Sequence, residues 1–222
     1  MIIAVVGLVR EAQIIAGAAI TPVVGGGDGA GLEHLLATAL AKPNISGVIS
    51  IGIAGGLSPD VRPGSIVAAT AIVAAGKRFE TDLAWRQRLL RAIPNCRLGV
   101  IAGSDRVIAH RPEKTDLYER TGAIAVDMES HIAAAAAAAR QVPFAALRVV
   151  CDPGDRTVPP AALVAMRSDG SIDAKAVLRS VMAAPQQLLS LGYLARDSAQ
   201  AFRTLLRCRN FLGDGLCGPD IS

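Results

Sequence analysis

A chain of 222 residues with an apolar content of 51% is long enough to bury the core of one α/β domain, and its length does not call for a second. No apolar run reaches the length of a bilayer-spanning helix, and the start MIIAVVGLVREAQ lacks the basic segment and cleavage site of a signal peptide, so a cytoplasmic protein is expected. A net charge of +4 with 3% aromatic residues, 4 cysteines without CxxC spacing and 3 scattered histidines argue against nucleic-acid binding, a disulfide framework and a metal site.

Along the chain, short aliphatic runs alternate with longer mixed segments, the pattern of strands buried between helices in a largely parallel sheet. The runs predict strands at 2–8, 47–53, 64–73, 98–103, 123–127 and 144–152, with helices after Arg10, Gly29, Thr81, Pro112 and Met128. The helix over 128–140 carries seven consecutive alanines, which favour helix and have no bulk, so it is expected to be buried against neighbours on every side. Beyond Pro159, SDGSID reads as a loop and 174–209 as two helices divided at Pro185. Most of the apolar stripe of Leu188, Leu189, Leu191, Leu194, Phe202, Leu205 and Leu206 is expected to pack on the sheet, although its arginines also suit a peripheral membrane contact.

Candidate ligand groups stand at predicted strand ends, where open α/β sheets hold their ligands. In VVGGGDGAG, Gly25, Gly27 and Ala30 fit GxGxxA, but no acidic residue closes a following strand about twenty positions on, so a dinucleotide-binding oxidoreductase is disfavoured and a plain turn is an equal reading. Gly52, Gly55 and Gly56 would admit a ligand close to the backbone, or simply form a tight loop. Glu11, Asp127 and Glu129 read equally as helix-start carboxylates; Asp152 and Asp155, in CDPGD, are also ordinary turn residues. What favours a site is that Glu11, Glu129 and Asp152 each follow a predicted buried strand, so that a parallel sheet would bring them to one edge.

The ordered series VGL..EA, GGG, GIAGGLSPDVRPGSIV, IAGSDRVI, AVDMES and PFAALRVVCD resembles the nucleoside phosphorylase and nucleosidase superfamily, above all methylthioadenosine/S-adenosylhomocysteine nucleosidases. VPPAALVAMRSDGSID and AVLRSVMAAP are similar to the hopanoid-associated phosphorylases, which are implicated in removing adenine from adenosylhopane. The resemblance implies a single three-layer domain over 1–222, with a central, largely parallel mixed sheet flanked by helices and residues 160–222 packed on it as C-terminal helices. It implies a homodimer or larger assembly, no cofactor, and an adenine nucleoside, in the hopanoid case a lipid-linked one, as substrate.

The resemblance also assigns roles. Asp152 matches the acid that protonates the departing purine, and must hold a proton near neutral pH, a condition that burial and a nearby carboxylate would favour. Glu129 matches the acceptor of ribose hydroxyls and Met128 the side chain against the sugar; Ala54, Gly55, Val107 and Ile108 match the contacts to base and reacting sugar. Glu11 matches the group that holds the nucleophile. Phosphate as co-substrate is disfavoured because Ile53 and Ser50 stand where phosphorylases carry a hydroxyl and an arginine; Arg10 and the Gly26 and Gly27 amides are the candidates left to bind it. An adenosine sensor without chemistry is the non-enzymatic reading, and retention of Asp152 and Glu11 argues against it.

Overall fold

The computed structural model describes residues 1–163, 170–171 and 173–219; part of SDGSID and of VPPAALVAMRSDGSID lies outside them. Eight strands form one mixed sheet: β1 (Ile2–Val6), β2 (Ile20–Val24), β3 (Gly47–Gly56), β4 (Ile66–Ala74), β5 (Lys77–Glu80), β6 (Arg97–Gly103), β7 (Ala123–Asp127) and β8 (Phe144–Asp152). Of the eight pairings, β1–β2, β1–β3, β3–β8, β4–β6 and β6–β7 are parallel and β3–β7, β4–β5 and β4–β8 antiparallel. Because β8 pairs both β3 and β4, the path β3–β8–β4–β6–β7 returns to β3 and closes a ring of strands, where the sequence pattern predicts an open sheet.

The continuous apolar runs follow from burial of the strands on both faces. In β1, Ile3 and Val5 face one cluster, with Leu32, Leu36 and Ile132; Ile2, Ala4 and Val6 face another, with Ile15, Trp85 and Leu205. The first layer is built on α2 (Gly29–Leu40) and α5 (Ser130–Ala139), the second on α1 (Val9–Ile15), α3 (Leu83–Ala92) and α8 (Leu188–Leu212). Asp28 and Asp82 cap α2 and α3 by accepting from Gly31 N at 3.0 Å and Trp85 N at 2.7 Å. Gly122, at φ 65°, ends α4 (Arg111–Thr121) in the left-handed conformation that glycine adopts without strain. The remaining helices are α6 (Pro160–Leu163) and α7 (Ala174–Ala183), with a 3₁₀ turn at Pro185–Gln187 before α8.

Several expectations need correction. β2 and β5 escape the pattern because both are edge strands: ITPVV carries a proline and KRFE is charged and exposed, features that edges tolerate and central strands do not. The polyalanine helix is buried on one side only, with Ala135, Ala138 and Ala139 exposed. In α8 the stripe divides: Phe202 and Leu205 are buried, whereas Leu188, Leu189 and Leu206 are exposed.

Candidate active site

Gly55 of β3 lies opposite Val126 of β7 and also opposite Asp152 of β8, where a bulge at Ala54/Gly55 shifts the register. Since β7 runs antiparallel to β3, the strands do not share one parallel edge as expected; their C-terminal ends meet head to head. A cavity opens at this junction, lined by Glu11, Ala54, Gly55, Val107, Ile108, Met128, Glu129 and Asp152. The structure thus collects in one place every residue to which the sequence resemblance assigns catalysis or nucleoside contact. Arg10, Gly26 and Gly27 are not brought there: the Arg10 guanidinium stacks over the Phe202 ring at 4.1 Å, the Gly26 amide donates to Gly7 O at 3.0 Å, and Gly27 is exposed.

The cavity floor is an acidic cluster built round a buried cation. Arg148, wholly buried in β8, places Nε 2.8 Å from Asp127 Oδ2 and Nη2 3.3 Å from Glu129 Oε2, and donates to Ser50 Oγ at 2.6 Å. Burial alone would lower its pKa, but Asp127, Glu129 and Glu11 hold it above the ordinary arginine value. Glu11 Oε2 accepts from the Gly7 and Leu8 amides at 2.7 and 2.9 Å, and Oε1 from the Ile53 amide at 2.7 Å, so both its oxygens are fixed by backbone. Burial raises its pKa against the opposing pull of Arg148 and those amides. Burial also pushes Glu129 up to about 7; Arg148 opposes, while Asp127 and Glu11 add to the rise. Two carboxyls that lose their protons less readily than in water therefore face the cavity.

Glycine makes this cluster possible. A Cβ on Gly52 would stand 2.5 Å from Glu11 Oε1 and 2.8 Å from Arg148 Nη1, and one on Gly7 would stand 2.8 Å from Glu129 Oε1. Gly52 therefore makes room for the protein's own charges, not for a ligand's approach. Asp127 takes the plainer of its two readings: Oδ1 accepts from the Glu129 and Ser130 amides at 3.0 and 2.7 Å, tying down the start of α5, while Oδ2 meets Arg148.

At the other end of the cavity, the charged neighbour of Asp152 is an ammonium and not the expected carboxylate. Lys114 Nζ contacts Asp152 Oδ2 and donates at 3.0 Å to both Pro153 O and Arg156 O. The Cys151 thiol lies 3.2 Å from Asp152 Oδ1, and burial, with help from Asp152, pushes its pKa well up, so it is not a ready nucleophile. Asp155 is exposed and paired with Arg62 at 3.0 Å. Sequence reasoning passed over Arg148 and Lys114. The former had a signal, a lone charge inside the apolar run FAALRVVCD; Lys114, within HRPEKTDLYER, reads as one more solvated residue.

The description "Phosphorylase superfamily" belongs to the family model that matches residues 23–183. Among solved structures, the chain is similar to a Helicobacter pylori methylthioadenosine nucleosidase mutant with 5′-methylthioadenosine in its active site (TM-score 0.66, 14% identity, 94% of this chain and 97% of that one). It is similar to the 5′-methylthioadenosine/S-adenosylhomocysteine nucleosidase of S. pneumoniae with a transition-state inhibitor (0.61, 15%, 96% and 100%), and to a futalosine hydrolase mutant of H. pylori (0.59, 16%, 68% and 89%). At these identities the likeness is one of fold. No curated protein matches the chain.

Proposed function

The chain belongs to the phosphorylase superfamily, and from that premise we propose that it cleaves the N-glycosidic bond of an adenine nucleoside and releases adenine. The observation that carries this reading is the convergence of Glu11, Glu129 and Asp152, from three separate elements, on one cavity. Breaking the bond between ribose and base leaves positive charge on the sugar and an electron pair on the purine, so an acid at the base and a carboxylate at the sugar both lower the barrier. Asp152 is the acid toward the purine ring nitrogen. Glu129 accepts from the ribose hydroxyls, Met128 packs on the sugar, and Ala54, Gly55, Val107 and Ile108 enclose base and reacting carbon. Glu11, held by three amides, orients and deprotonates the attacking group.

Water is that attacking group in this reading, which makes the protein a hydrolase and not a glycosyltransferase that consumes phosphate. A phosphate dianion needs several convergent donors; Arg10 stacks on Phe202, the Gly26 amide is already engaged, and Ile53 lines the cavity where a hydroxyl would be needed.

For the 5′ substituent, a small thioether is the leading reading, since two of the three similar solved structures above are nucleosidases named for methylthioadenosine. The second reading is adenosylhopane, favoured by the sequence resemblance of the segment after Val158 and by the exposed Leu178, Met182, Leu188 and Leu189, which a lipid-linked substrate at a membrane surface would cover. A cytoplasmic protein, peripheral to the membrane in the second reading, and a homodimer or larger assembly complete the proposal; no helix among the described residues is long and apolar enough to cross a membrane. The test is release of free adenine from methylthioadenosine and from adenosylhopane, side by side. Binding of either without release would point to a sensor, and neither binding nor release would overturn the proposal.

A further inference from the structure

Lys114 is the one buried side chain of α4, and its exposure is 0%. Lysine is almost never fully buried unless paired, because taking an ammonium out of water forfeits its hydration. Here its three N–H donors meet three acceptors, the Asp152 carboxylate and the carbonyls of Pro153 and Arg156. It does not line the cavity, whereas Asp152, with its side chain 13% exposed, does. Whatever Lys114 does for a ligand, it does through Asp152.

We infer that Lys114 is the positioning residue of the reaction and the source of the proton that the departing base takes up; this rests on the nucleoside-cleaving reading. As the bond between ribose and base breaks, its electron pair stays on the base. In the same step a proton passes from Lys114 Nζ to the Asp152 carboxylate, and a carboxyl proton passes from Asp152 to the purine ring nitrogen. A neutral Lys114 amine beside an Asp152 carboxylate remains, and the pair regains one proton from water once the base has left. With Nζ in contact with Oδ2, a lysine and an aspartate can together serve as an acid, the one restoring to the carboxylate the proton that it gives to the base. Arginine could not fill the role, since a guanidinium does not give up its proton in proteins.

The experiment compares methylthioadenosine with its 7-methylated derivative, whose base already carries positive charge and leaves without needing a proton. With Lys114→Met and Lys114→Gln, the latter retaining donors for the two carbonyls, kcat for methylthioadenosine should fall about a hundredfold with KM little changed. The methylated substrate should lose no more than about fivefold, since it bypasses the acid. Equal losses on both substrates would mean that Lys114 only holds the structure, and unimpaired cleavage of methylthioadenosine would mean that it is not needed; either overturns the inference. If thermal melts show that neither variant folds, wild-type rates in mixtures of H2O and D2O decide. Methylthioadenosine should show two protons in flight beyond those of the methylated substrate, one from Lys114 and one from Asp152; one beyond, as Asp152 alone supplies, or none, overturns the inference. Failure of the wild type to cleave methylthioadenosine, its 7-methylated derivative and adenosylhopane would instead count against the nucleoside-cleaving reading itself.

Discussion

Arg148→Met probes the cluster beneath the cavity, because methionine keeps much of the length and apolar stem of arginine while deleting its charge. In the native protein that charge is wholly buried, 2.8 Å from Asp127 and 3.3 Å from Glu129, with Glu11 adding a third negative group. Breaking a buried ion pair by removing one partner costs about 3–5 kcal/mol, since the other partners remain in low dielectric without compensation. The carboxylates can escape this cost by taking up protons, and Glu129 is pushed up to about 7 even with Arg148 present. A carboxyl whose folded pKa lies above its unfolded value contributes stability that is complete below the unfolded value and is lost as pH rises through the folded one. Glu129 is protonated in both folded proteins below about 7, so the variant should lose on the order of 1 kcal/mol near pH 5, and the loss should widen by up to about 1.4 kcal/mol per pH unit above about 7, toward about 3–5 kcal/mol. Urea unfolding of both proteins at several pH values, followed by circular dichroism, measures this difference. A loss that is the same at pH 5 and pH 8, or one below about 1 kcal/mol at pH 8, would show that the three carboxylates are not held in check by Arg148.

Asp152→Asn should lower adenine release by about a hundredfold or more while nucleoside binding survives, because the amide keeps the shape and loses the transferable proton. Near-normal turnover in a product assay would sink that assignment, and Asp155, exposed and turned to Arg62, would be a poor replacement for it. Glu129→Gln should reduce the preference for ribose over 2′-deoxyribose by roughly 1.5–3 kcal/mol, as a charge-assisted hydrogen bond is lost; unchanged discrimination in paired kcat/KM measurements would leave Glu129 a structural carboxylate. Adenine should be released in phosphate-free buffer, with added phosphate changing the rate little. Strict phosphate dependence and a ribose 1-phosphate product would show that donors such as the Arg106 guanidinium, now paired with Glu113 at 3.1 Å, turn to bind an anion.

How far the sequence reads depends on whether a signal is local. The central strands were legible because a strand buried on both faces writes one continuous apolar run, as at 144–152. Edge strands β2 and β5 were not, since exposure removes the need for that run. The carboxylates of the site were legible as polar groups placed where such runs stop, and the glycines beside them as gaps in side-chain volume. Their partners were not: Lys114 is joined to Asp152 across 38 residues and Arg148 to Ser50 across 98; the apolar run around Arg148 marks it as buried without saying which acid it meets, and the local pattern around Lys114 states neither.

By itself, then, the sequence determined a chain of buried strands alternating with helices, and the residue types that end those strands; both are consequences of hydrophobic period and of the rule that charge stays out of a core. Only the tertiary structure decided that β8 bridges β3 and β4 to close the ring, that Gly55 faces Val126 and Asp152 together, and that one cation sits under each end of the cavity. Register and ion pairing are set by contacts between segments far apart in the chain. Each depends on which partner minimises unpaired buried charge and unpaired backbone, a choice that exists only once the segments have come together.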